Sequence, residues 1–362
     1  MNKTIIKSPS KGLYNKNLVE SKTKQTFKNY LSNPLGQFVL LGVVLIILGF
    51  LARFKVIPYS LNTALAKVII HAIIAIGFCL LLGYSGLASL GTAGFAGLGA
   101  YATYFILQHT PLSFLSSLIA SVVFALIFGL FVGIISLRIE GMYLAILTLG
   151  LAQILFQVFK NIEATIKINS SNITFFFMKL DKMGLFALIT VMFVILLILT
   201  SNIINSPTGR AMLAMKNSTS AAQAMGIGLL KYRLLAFVIS TIYAAIGGML
   251  YIMLIGVETP SQSQFLALSM SLNILGAVIV GGSRSLWGTI FGSFIIFGAQ
   301  SIIFNNIPFF QQNPQFIGIV TGILLVVIVM FYPGGLSQLA LEVKLKIRKL
   351  IMKWRAKKYG TN

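Results

Sequence analysis

The chain has 362 residues, of which 57% are apolar and 9% charged, with 33 glycines and a mean hydropathy of +0.93. Soluble domains carry about 25% charge, so this composition excludes a cytosolic enzyme, a nucleic-acid-binding module or a disordered tail and requires a membrane. The net charge of +22 sits largely at the ends, with seven of the 28 basic residues before Leu35 and eight after Glu342. That is the pattern of cytoplasmic flanks that attract anionic lipid, not of a surface that reads bases.

Residues 1–36 read as a basic cytoplasmic tail. They lack the apolar stretch and small-residue cleavage site of a signal peptide, so the first span is expected to direct insertion and be retained. Apolar stretches then run near 37–52, 61–83, 86–108, 112–137, 141–159, 184–204, 234–256, 265–281, 285–304 and 315–332. A hydrocarbon core needs about 20 helical residues per crossing, which gives about ten transmembrane helices in a transmembrane domain at 37–336. An even number puts both lysine-rich tails, the second at 337–362, on the cytoplasmic side. Backbone groups in lipid must be paired within their own segment and barrel-type alternation is absent, so the fold class is all-α and polytopic. GxxxG spacings at Gly129 with Gly133, Gly288 with Gly292 and Gly318 with Gly322 predict close helix packing.

The sequence carries no GxxxxGK[ST], HExxH, CxxC or GxSxG run, so no catalytic residue, no metal site and no nucleotide site of its own are expected. Between the tails the acids are Glu140, Glu163, Asp181 and Glu258, which supplies no buried carboxylate relay. Cys79 lies in an apolar run and reads as a packing thiol. Lys67 and His71 share a helix face and read as a snorkelling or lumen-facing pair rather than as metal ligands.

Two segments break the pattern of plain spans. In GYSGLASLGTAGFAGLGAY, residues 83–101, six glycines include Gly91, Gly94 and Gly97 at a repeat of three. Such density costs helix stability and implies either close packing or a broken, solute-lining segment with Ser85, Ser89 and Thr92 as its polar groups. Residues 206–233 form a long connection expected to face the cytoplasm. Ser220 and Gln223 have capping-box spacing and Gly226 is a stop, which predicts a short alanine-rich helix over Ala221, Ala222, Gln223, Ala224 and Met225. It reads either as a helix that docks in a partner's groove or as an amphipathic connector.

Residues 83–101, together with LRIEGMYLAILTLGLAQI, GRAMLAMKNSTSAAQAMGIGLLKYRLLAFVISTIYAAIGGMLY and GAVIVGGSRSLWGTIFGS, resemble the permease subunits of bacterial branched-chain amino acid ABC importers. Within the LivH/LivM family the order and the LRxxGxYxAIxTLG section are similar to the LivM type, over roughly residues 61–336. The resemblance implies an inner-membrane importer with inverted-repeat permease architecture. Its partners would be a sister LivH-type permease, two ATPase subunits that hold ATP and magnesium, an extracytoplasmic solute-binding protein and membrane lipid, with no nucleic acid and no cofactor on this chain. It also implies that Ser220 to Gly226 couple to the ATPases. Candidate polar groups for the solute path are Ser89, Thr92, Thr148, Gln153 and Asn273. This chain departs from the family pattern at Thr92, where histidine is common, at Gln153, where glutamate is usual, and at Asn217, Ser218 and Thr219, where acids are usual. A urea or short-amide importer, or a passive channel for a small neutral solute, is the alternative.

Overall fold

The computed structural model describes residues 34–53, 59–109, 113–136, 142–161, 181–258, 265–303, 307–313, 315–332 and 334–339, with short pieces at 166–167, 174–175, 178–179, 342 and 345–346. The N-terminal tail, most of the C-terminal tail, Arg138, Glu140 and Glu163 lie outside the described residues.

Each of the ten apolar stretches contains a helix. These are α1 (Pro34–Arg53), α2 (Tyr59–Cys79), α3 (Thr92–His109), α4 (Ser113–Ser136), α5 (Met142–Asn161), α6 (Lys182–Asn205), α9 (Leu229–Ile255), α10 (Leu268–Gly281), α11 (Leu286–Gly298) and α13 (Gln315–Phe331). Between them lie α7 (Pro207–Asn217), α8 (Thr219–Ala224) and α12 (Pro308–Gln312). Among the described residues, five of the apolar helices are long and apolar enough to cross a membrane, and the other five have shorter apolar stretches of 10–17 residues. Two of the helices do not stop cleanly: α2 runs on as a π-turn at Leu80–Ser85 and α11 as one at Ala299–Ile303. Among the described residues the non-helical pairing consists of two-residue strands, β1 (Ile166–Lys167) with β4 (Val257–Glu258) and β2 (Thr174–Phe175) with β3 (Met178–Lys179).

The core is built around α2 and α9, the most buried of the long helices. One cluster joins Phe78, Phe95, Phe237 and Val278; the other joins Ile69, Ile73, Phe193 and Tyr243. Close approach is set by small residues. A Cβ at Gly99 would lie 2.1 Å from the Ala245 carbonyl oxygen, and one at Gly248 1.9 Å from that of Ala96, so α3 and α9 touch backbone to backbone. The GxxxG expectation holds at two of three places: Gly129 and Gly133 meet α9, and Gly288 and Gly292 meet α10, whereas Gly318 and Gly322 have nothing near them. On the outside, Phe131, Ile146 and Val326 are exposed, as lipid-facing or subunit-facing apolar side chains must be.

Candidate functional site

The glycine-rich segment is both tightly packed and broken, each half in its own place. Gly91, Gly94 and Gly97 all face α5, where added Cβ atoms would crowd Thr148, Ala152 and Phe159. Ahead of them the helix is interrupted. The π-turn ends at Gly86, which has φ +75°, a left-handed conformation that glycine adopts without a steric penalty. Residues 86–91 are not helical, and α3 begins only at Thr92, six residues later than the apolar stretch suggests.

Hydroxyls supply the hydrogen bonds that the broken backbone lacks. Thr148 Oγ1 accepts from Leu90 N at 3.0 Å while donating to the Leu144 and Ala145 carbonyls of its own helix. Ser89 Oγ accepts from Gly91 N at 3.3 Å, and Ser271 Oγ on α10 accepts from Ala93 N at 2.9 Å. Between this break and α9 lies a crevice lined by Leu81, Ser89, Thr92 and Phe95 on one side and Phe237, Ser240, Thr241 and Ala244 on the other. It is closed too tightly to admit water. Thr92 Oγ1 is buried there with no hydrogen-bond partner, at a cost of about 1–3 kcal/mol.

The connection after α6 is built from two capped helices. Ser206 caps α7, accepting from Gly209 N at 3.4 Å with Pro207 in the first turn. Ser218 is extended, ends α7 and caps α8, its Oγ accepting from Ala221 N at 3.3 Å. The cap is therefore Ser218, not Ser220, and the helix starts two residues earlier than its spacing implied. Its end is as expected: Gly226 has φ +77°, and Gly226 N and Ile227 N donate to the Gln223 and Ala222 carbonyls at 2.9 and 3.0 Å. On α8, Ala222 is buried against this chain, while Ala221, Gln223, Ala224 and Met225 are exposed.

The same loop is bonded to the break. Lys216 Nζ, at the end of α7, donates to the Leu82 and Gly83 carbonyls at 3.1 and 2.8 Å. Tyr84 OH donates to the Arg284 carbonyl at 3.0 Å, and the Arg284 guanidinium donates to Asn217 Oδ1 at 3.1 Å. Cys79 Sγ reaches the Ser283 carbonyl at 3.2 Å. Partial burial, and then the nearby Arg284 charge, hold the Lys216 ammonium below the ordinary lysine pKa.

Residues 60–329 match the family described as "Branched-chain amino acid transport system / permease component". The chain belongs to this family. Among its relatives, the "High-affinity branched-chain amino acid transport system permease protein LivM" of Escherichia coli (strain K12) is 27% identical over 308 residues, covering 76% of this chain and 70% of the relative. The protein of the same name from Salmonella typhimurium is 26% identical with the same coverage. The "Probable ABC transporter permease protein YphD" of E. coli is 30% identical over 128 residues, 34% of this chain and 36% of the relative. The chain is thus a multi-pass membrane permease of LivM type.

In this permease the structure gathers some of the sequence-derived path residues and disperses others. Ser89 and Thr92 line the crevice. Thr148 lies behind it, its hydroxyl occupied in bracing Leu90. Gln153 is exposed on the outer side of α5, because it follows by one residue, and so by about 100° of helix, the Ala152 that packs on Gly94. Asn273 is half-buried on α10 outside the crevice. Sequence reasoning missed Ser240 and Thr241, whose adjacent hydroxyls within the apolar run FVISTIYAA were the available signal.

Proposed function

We propose that this chain is one of the two permease subunits of an inner-membrane ABC importer for branched-chain amino acids. It has ten crossings in an inverted-repeat arrangement and both termini are cytoplasmic. A LivH-type sister permease completes the path, two ATPases hold and hydrolyse ATP with magnesium, and an extracytoplasmic binding protein delivers solute. The chain performs no covalent chemistry.

The observation that carries this reading is the connection between an exposed, doubly capped helix and a broken segment that lines a buried crevice. Helix α8 offers small side chains to an ATPase groove. The crevice pairs hydroxyls with phenyl rings, which suits a solute that has an aliphatic side chain and polar ends. Thr92 Oγ1 is unpaired at the start of α3 and meets a polar group of the solute when the crevice opens. The positive end of the α3 dipole at that helix start favours an anionic end such as a carboxylate. ATP-driven switching needs the two orientations of the path to differ in their contacts with the ATPases, and a rigid docked helix provides that difference.

The test is uptake by the full set of subunits in vesicles with labelled leucine, isoleucine, valine and urea. Saturable uptake of the three amino acids that requires both ATP and the binding protein is expected. Uptake by this chain alone without ATP would overturn the reading in favour of a passive facilitator, and transport of urea alone would reassign the solute.

A further inference from the structure

We infer that Lys216 is a positioning residue of transport: it conveys displacement of α8 to the break between α2 and α3 by holding the Leu82 and Gly83 carbonyls. The inference rests on the importer reading and goes beyond it by naming the bond through which the loop and the path are joined.

The π-turn at Leu80–Ser85 ends a long helix, and helix ends leave carbonyl groups without backbone partners. Lys216 answers two of them with a charged donor, at 3.1 and 2.8 Å, and such charge-assisted bonds are roughly twice as strong as neutral ones. The negative end of the helix dipole favours the ammonium at the same place. The lysine stem also packs on the backbone: a Cβ at Gly86 would lie 3.1 Å from Lys216 Cγ, so a side chain at 86 would press directly on the lysine.

On its other side the lysine is joined to α8 with little slack. It is the next-to-last residue of α7, and Ser218 both ends α7 and caps α8. A shift of α8 against an ATPase therefore moves the ammonium. The π-turn itself is fixed to the turn between α10 and α11. Tyr84 and Cys79 donate to carbonyls there, and a Cβ at Gly83 would lie 1.8 Å from the Ser283 oxygen. Arg284 of that turn bonds back to Asn217. Loop, π-turn and α10–α11 turn thus form a closed ring of contacts. The chain leaves this ring through residues 86–91 and enters the crevice at Ser89 and Thr92. π-Turns inside α-helices recur at functional sites.

A purely structural lysine and a transmitting one predict different outcomes. In vesicles holding the complete transporter, Lys216→Met keeps the stem and removes the ammonium. The expected result is assembly with the ATPases but a fall of about tenfold or more in uptake and in hydrolysis stimulated by loaded binding protein, the range of ordinary coupling energies. Lys216→Arg, which keeps the positive charge and supplies several N–H donors, should restore most of both. Uptake by Lys216→Met at the parent rate, with unchanged solute moved per ATP, overturns the inference while leaving the importer reading intact. Absence of ATP-dependent uptake by the parent removes both. If Lys216→Met does not assemble, amide exchange in the parent decides. Trapping the ATPases with nucleotide should change protection at residues 82–92 together with 216–226, and no change at 82–92 overturns the inference.

Discussion

Thr92 carries a cost in stability that a single substitution can remove. Its hydroxyl is buried without a partner beside Ser89, Ser240 and Thr241. Replacing an unsatisfied buried hydroxyl with a methyl of the same shape removes a desolvation penalty, so Thr92→Val should stabilise the assembled transporter by about 1–2 kcal/mol. The melting temperature of the purified complex would rise while the rate of amino acid uptake falls. If uptake stays at the parent level, the hydroxyl does not meet solute. Gln153→Leu is the matched comparison: because Gln153 is exposed on the outer side of α5, the relative uptake of leucine, isoleucine and valine should not change. Neither placement was legible from residue type. Both positions stood out as polar groups in apolar helices, and only the rotation of α5 that seats Ala152 on Gly94 separates them.

Helix α8 was legible in outline because its signals are local. Alanines, a cap and a stopping glycine lie within a few residues, and Gly226 does end the helix in a left-handed conformation. The cap was misplaced because two serines compete, and the one in extended conformation between α7 and α8 prevails. Loss of the N-cap costs about 1 kcal/mol, so Ser218→Ala should speed amide exchange in α8 roughly fivefold while Ser220→Ala leaves it nearly unchanged. The inward position of Ala222 carries a second consequence. Glutamate there buries a charge against this chain and should unfold the loop, whereas Ala224→Glu, on the exposed side, should leave the loop folded and block ATPase association. Pull-down of the ATPases together with loop exchange separates the two. Equal exchange rates in both variants would mean that α8 does not pack as described. The start of α3 was harder to read. Residues 86–91 are as apolar as a span, and what keeps them out of a helix is tertiary, namely Thr148 and Ser271 on other helices taking up their amide groups or those just after them.

At the scale of the whole molecule, the ten hydropathy peaks each became a helix because a membrane span is specified by its own backbone and side chains, with little help from neighbours. Which helices lie at the centre could not be read that way, since α2, α9 and the outer α4 are similarly apolar and differ in what packs on them. Which connections share a side can be argued from contacts. Lys216, Asn217 and Arg284 are joined at one end of the bundle. At another, β1 pairs Ile166 with Glu258 across β4, tying the connection after α5 to the one after α9. Starting from a cytoplasmic N-terminus, both members of the first group follow an even number of crossings and both members of the second an odd number, so a single miscounted span between the members of either pair would have separated them. The expected outcome is therefore that cysteines introduced at Ala224 and Arg284 react with an impermeant thiol reagent only from the cytoplasmic side, and those at Glu258 and Asn313 only from outside. Cys79→Ser is a suitable background, because a hydroxyl retains a donor for the Ser283 carbonyl. Labelling of positions 258 and 284 from the same side would show that α10 does not cross the membrane. Reversal of all four would keep the span count and overturn the placement of the lysine-rich ends.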